Sequence, residues 1–186
     1  MTFPDTFGGL ELSPALEHPN LLADPVAAGL RALPEAAAAR FAVAAIDPDL
    51  ADTAALTEHY GLSLEVSANC VVVAGKREGE RRFAACLILA NTRADVNGVV
   101  KRRLDVRKAS FAPQQDAVDL AGMEYGGITA VGLPAEWPLL IDSAVVAADW
   151  VIIGSGLRRS KLVVPGSVLP ELPHVEVTPG LGRPTG

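Results

Sequence analysis

The sequence predicts a single α+β domain in which a mixed, mostly antiparallel sheet is flanked by helices. Three observations carry that expectation. Hydrophobic residues make up 49% and charged residues 20% of a 186-residue chain, which is enough apolar material for one packed core. Two apolar runs, CVVVA at 70–74 and RFAACLILA at 82–90, flank the charged link GKREGER, the pattern of an antiparallel hairpin. Segments of strand and helix character then alternate without a strict βαβ rhythm, so the sheet is not expected to be all parallel.

Residues 1–23 carry prolines, glycines and few periodic apolar positions, and read as an irregular arm. The domain itself is expected over residues 24–175. Asp24 is placed as an N-cap with Pro25 at the first helical position, and VAAGLRAL continues that helix to about Leu33. FAVAAI (41–46) suits a buried strand, and TAALTEHY is a helix capped by Asp52 and ended by Gly61. If the hairpin that follows is symmetric, Cys70 and Cys86 lie opposite one another. Asp95 caps a helix over VNGVVKRRL, RKASFAP crosses to a second helix QQDAVDLA, and Gly122 closes it. Strands PLLID, WVIIG and KLVV complete the sheet, with a short helical stretch near SAVVAA. Residues 176–186 are expected to form a flexible tail.

Composition excludes several classes of protein. The longest apolar runs fall far short of the roughly 20 residues of a membrane helix. The first residues, MTFPDTFGG, lack the basic patch and apolar run of a secretory signal, so a cytoplasmic protein with no membrane partner is expected. Two cysteines are too few for a disulfide framework. Net charge is −6, but residues 1–75 hold two basic against ten acidic residues, whereas residues 76–161 hold thirteen of the sixteen Lys and Arg against ten acids. A basic face on an acidic protein is compatible with a polyanionic partner, although solvated surface charge is the more common fate of such clusters.

Metal and cofactor fingerprints are missing. His18, His59 and His174 stand at no ligand spacing, GSG at 154–156 is not a GxSxG elbow, and neither a P-loop nor a GxGxxG turn occurs. No metal and no cofactor is expected. What remains is glycine-rich backbone. GGITAVGLP places Gly126, Gly127 and Gly132 in one window, and GSGLRRSK follows an apolar strand with two glycines, a hydroxyl and three basic residues. Such segments can present N–H groups to a carbonyl or phosphate oxygen, or simply turn the chain.

The order of these phrases resembles the YbaK/prolyl-tRNA-editing family. From about Pro25 to Pro173 the chain carries a leading helix, a strand with an aspartate, a short helix ending in YGL, then SANCVVV, RKASFAP, GMEYGGITAVGLP, LLID and IIGSG. The resemblance implies an aminoacyl-tRNA deacylase that hydrolyses the ester of a mischarged tRNA in trans, with aminoacyl-tRNA as partner and a synthetase whose errors it corrects. It implies that Gly126 and Gly127 lie against the terminal adenosine and the ester, that Gly132 and Pro134 close that loop, and that Asp142, Gly154, Ser155 and Gly156 border the pocket.

One departure stands out. Family members place a lysine just before the first hairpin strand, where this chain reads Ala68-Asn69-Cys70. Asn69 offers neutral donors in place of a full charge, roughly half the hydrogen-bond strength. Lys76, Lys101 and Lys108 are the expected substitutes, Lys108 also as a substrate-binding residue, with Lys101, Arg102 and Arg103 as the tRNA-binding face. The alternative is a binding module that has lost hydrolysis. A third reading gives Cys70 a chemical role beside Asn69. Asn69 is expected to face the same cleft as the glycine loop, and Gly127 to serve function rather than folding.

Overall fold

The structure, a computed structural model, describes residues 3–185. In chain order its elements are β1 (Thr6–Phe7), β2 (Leu10–Glu11), β3 (Ser13–Pro14), α1 (Asp24–Arg31), α2 (Glu35–Ala38), β4 (Ala42–Ala45) and α3 (Thr53–Tyr60). The hairpin β5 (Ala68–Arg77) and β6 (Glu80–Leu89) follows, then β7 (Thr92–Ala94), a π-turn at Val96–Val100 running into α4 (Lys101–Leu104), β8 (Ala109–Phe111) and α5 (Gln114–Ala121). The last elements are β9 (Leu139–Asp142), α6 (Ser143–Val146), β10 (Val151–Gly154), β11 (Ser160–Val164), β12 (Val175–Thr178) and β13 (Gly182–Pro184).

The α+β class holds, but the strands divide into two principal sheets instead of one. A four-stranded antiparallel sheet runs β10-β11-β4-β3, and a five-stranded mixed sheet runs β12-β9-β6-β5-β8, with β9 parallel to both of its neighbours. The two meet where Ser67, just ahead of β5, bridges in parallel to Ile152 of β10. This seam positions the site. Leu162 and Val164 of β11 pack into a large cluster with Val26, Phe41, Leu87 and Ile141, while Val163 packs on the opposite face with Leu10, Ala44, Leu56 and Ile152. The alternation is the ordinary period of a strand buried on both faces.

Local signals place most elements. Gly61 and Gly122 end α3 and α5 in left-handed conformations, and the Asp95 carboxylate accepts from the N–H groups of Gly98 and Val99 at 3.1 and 3.2 Å. Asp24 is not the cap of α1. That place belongs to Ala23, with Asp24 as the first helical residue and Pro25 next. RKASFAP supplies more than a crossing, since Ala109–Phe111 pairs with β5 as an edge strand.

Both chain ends correct the sequence reading. The first segment, expected to be irregular, contributes β3, which pairs with β4, and buries Leu10. The segment expected as a flexible tail pairs β12 with β9 and β13 with β7, and buries Leu181 completely. Strand partners from elsewhere in the chain hold both: β4 for the first segment, β9 and β7 for the last. The hairpin turn is two residues, Glu78 and Gly79, both with positive φ, so Cys86 faces Val71 and Cys70 faces Leu87. A one-residue offset puts the two thiols on opposite faces of the sheet. Among the described residues no helix is long and apolar enough to cross a membrane.

Candidate active site

At the seam between the sheets, the start of α3, the start of β5, the end of β10, Lys161 of β11 and the loop 125–128 enclose a cavity of about 320 Å³. That volume lies at the lower end for small-molecule sites. Exposed Asp52, Asn69, Tyr125 and Gly126 form its mouth, and buried Leu56, Ile152, Ile153, Gly154 and Lys161 its floor. The site therefore has a polar rim over an apolar base that contains one ammonium group.

Asn69 sits at the second position of β5. Its Oδ1 accepts from the Thr53 hydroxyl at 2.9 Å, which leaves the amide NH₂ as its remaining donors. Gly126 turns the loop at φ +78°, and a side chain there would run into the Arg158 guanidinium. Arg158 straps this loop from outside: its guanidinium donates to the carbonyls of Tyr125 at 3.3 Å and Pro48 at 3.1 Å, and its backbone N–H donates to the Glu124 carboxylate at 2.6 Å.

Lys161 is the functional candidate that sequence reasoning missed. It lies on a strand with neighbours on both sides, opposite Gly154 and Ala44, on the same face as Val163 and under α3. Only 7% of the residue is exposed. Its Nζ donates to the Ala51 carbonyl at 2.9 Å and lies 3.5 Å from the Gly126 carbonyl. Burial pushes its ammonium down to about 8; Asp52 opposes that shift through space and Arg158 adds to it. The available signal was a lysine beginning the apolar run KLVV, a charge where a two-sided strand wants only apolar residues.

Asn69, Gly126 and Gly154 meet at the cavity. Gly127 does not reach it. Gly127 is buried, its N–H donates to Glu124 and its carbonyl accepts from Gly156, and an added Cβ would lie 2.8 Å from backbone atoms of Gly156 and Leu157. Gly154 packs as closely, with a Cβ position 2.4 Å from the Gly127 carbonyl. Gly132 lies against α1, where a Cβ would stand 2.2 Å from the Pro25 carbonyl, and Gly156 packs against Ala23.

Ser155 is fully buried, 2.8 Å from the Ser160 hydroxyl and 3.0 Å from the Ser160 carbonyl, and so fixes the β10–β11 connection. Asp142 caps α6 through the Ala144 N–H at 2.8 Å and holds β13 through the Gly182 N–H at 2.6 Å. None of Lys76, Lys101, Arg102, Arg103 and Lys108 lines the cavity. Arg103 instead pairs with Glu176. Cys70 does line it, but burial pushes its thiol up, with Cys86 adding to the shift, which disfavours the reactive thiolate.

The sequence matches the aminoacyl-tRNA editing domain family over residues 47–172. No curated protein matches it. Among solved structures, one assigned as a trans-editing enzyme for prolyl tRNA synthetase is similar at 17% identity and a TM-score of 0.70, over 87% of this chain and 96% of that one. A scaffold used for computational epitope grafting is similar at 16% identity and a TM-score of 0.67, over 88% and 97%. A hypothetical protein is similar at 19% identity and a TM-score of 0.69, over 80% and 95%. At these identities the likeness is one of fold. The family match spans α3, both strands of the hairpin, the glycine loop and β11, which are the segments that build the cavity, and on that ground the chain belongs to the aminoacyl-tRNA editing domain family.

Proposed function

We propose that the protein hydrolyses the ester of a mischarged aminoacyl-tRNA in trans, with the aminoacyl end in the seam cavity. The observation that carries the reading is the convergence of Asn69 and Gly126 on one cavity, although they lie on separate segments of the chain. A water oxygen adds to the ester carbonyl carbon and forms a tetrahedral oxyanion. The bond from that carbon to the ribose oxygen then breaks. The ribose oxygen leaves with one proton of the water, the amino acid leaves as a carboxylate, and the second proton goes to solvent.

An aminoacyl ester is already activated, so positioned donors and a placed water are adequate without a protein nucleophile. The neutral Asn69 amide orients the substrate at the mouth, and the apolar floor limits the water that enters. The acceptor stem then lies outside the cavity, where Lys101, Arg102, Arg103 and Lys108 supply exposed or part-exposed positive charge.

The test is release of free amino acid from a panel of mischarged tRNAs incubated with the purified protein and no synthetase. Turnover on at least one member is the expected result. Saturable binding of aminoacyl-tRNA without turnover would replace this reading with that of a binding module. Neither binding nor turnover would remove it.

A further inference from the structure

Among the described residues Lys161 is the only buried Lys or Arg, and the only cation lining the cavity. No carboxylate lies within ion-pair distance of it among those residues. An ammonium has three donors. One is used on Ala51, and the contact to Gly126 at 3.5 Å is long for a hydrogen bond, so donor capacity remains for the cavity. Burying an unpaired cation is costly, and tying down one backbone carbonyl does not require a charge.

We infer that Lys161 contacts the acyl group of the substrate and stabilises the oxyanion formed on its carbonyl oxygen, supplying from β11 the charge that Asn69 does not supply from β5. The inference rests on the reading of this cavity as an aminoacyl-ester site. Position selects the ligand atom. Lys161 lies on the floor among Leu56, Ile152 and Ile153, whereas Asn69, Asp52 and Tyr125 are at the mouth. A hydrated phosphate would have to shed its water to reach the floor, whereas the uncharged ester carbonyl enters at lower cost, with the substrate's α-amino group left toward the polar mouth. The oxyanion forms only as the reaction proceeds, so a floor cation favours the transition state over the ground state.

The titratable and charged groups around Lys161 are Asp52 at the head of α3, Cys70 on β5, Tyr125 on the loop, and Arg158 with its partner Glu124. Their arrangement allows the charge to be moved and followed. The experiment compares Lys161→Met, Asn69→Lys and the double variant with the parent protein. It uses single-turnover deacylation and calorimetric binding of 3′-aminoacylamido-adenosine, which lacks the cleavable ester.

Lys161→Met is expected to melt no lower than the parent, because it removes a buried charge, and to lose roughly 100-fold in kcat/KM. Adding Asn69→Lys to it restores a cation from the other strand and is expected to recover about tenfold of that loss, which a purely structural lysine would not permit. A folded Lys161→Met protein with parental activity overturns the inference and leaves the proposed function standing, as does a double variant with no recovery. If Lys161→Met does not fold, the parent's pH profile decides, measured on a substrate whose α-nitrogen is acylated, because a free α-amino group itself titrates at about 8. After subtraction of spontaneous hydrolysis, kcat/KM that falls above about pH 8 supports the inference, and a flat or rising profile to pH 9.5 overturns it. A parent protein that neither binds the analogue nor turns over any substrate removes both proposals together.

Discussion

The basic surface and the cavity floor hold positive charge in opposite ways. Most Lys and Arg of residues 76–161 are on the surface and several are neutralised there: Arg77 pairs with Asp105, Arg81 with Asp116 and Arg103 with Glu176. Exposed pairs of this kind contribute about 0 to 1 kcal/mol each and fade with salt. Among the described residues the floor holds one cation, buried and without a carboxylate in contact. Counting charges along the sequence points to the surface. The environment of each charge points to Lys161, because an ammonium that has lost its water interacts far more strongly with whatever enters the cavity than one in solvent.

The largest expected effect tests whether the wall beside that floor is as rigid as its packing implies. Gly127→Val forces a branched side chain against backbone at 2.8 Å and should cost about 4 kcal/mol, enough to leave little folded protein at 37 °C. Circular dichroism melts check it. A folded Gly127→Val variant that has lost only activity would return this glycine to the binding surface.

A second prediction sharpens the contrast through pH. The folded-state pKa of Lys161, at about 8, lies below its ordinary value of 10.5, so between these pH values the unfolded chain binds more protons than the folded one. Stability should therefore rise with pH across that window, by up to roughly 3 kcal/mol, while activity falls. In Lys161→Met this increment should be absent. Denaturant midpoints at pH 7.5 and pH 10 measure it. An equal rise in both proteins would assign the effect to other groups.

Smaller changes are expected at the rim and on the surface. Asn69→Ala removes an exposed amide that is held by Thr53, and should lower kcat/KM by about tenfold or less, the scale of one neutral hydrogen bond. Replacing Arg102 and Arg103 together by Gln should weaken tRNA binding and reduce its salt slope by about one, since Arg103 is already paired with Glu176, with chemistry on a bound substrate unchanged. An unchanged slope would move the acceptor stem to another face.

Much of this fold is legible in the sequence where the determinants are local. The caps at Gly61 and Gly122, the Asp95 turn and the charged hairpin link are each set by a few neighbouring residues. Register is less local: the two-residue turn at Glu78-Gly79, in which Glu78 as well as Gly79 adopts a positive φ, moves the pairing by one position from the symmetric hairpin and puts the cysteines on opposite faces. The terminal strands are legible only from their partners, since β3 needs β4, and β12 and β13 need β9 and β7. The site divides in the same way. Asn69 and Gly126 are found by position in a recurring pattern, whereas Lys161 is one more charge in a basic segment until β4 and β10 close around its strand and α3 covers its face.

The most direct test of the account is a heteronuclear NMR titration of the Lys161 ammonium, assigned by its disappearance in Lys161→Met, with and without the 3′-aminoacylamido-adenosine. Lys161 is expected to titrate at about 8 in the free protein, and its ammonium resonance to change on binding until the ligand saturates. A Lys161 that titrates near the ordinary lysine value of about 10.4, or whose resonance ignores a ligand shown to bind, would contradict the claim that the buried floor of this cavity carries its working charge.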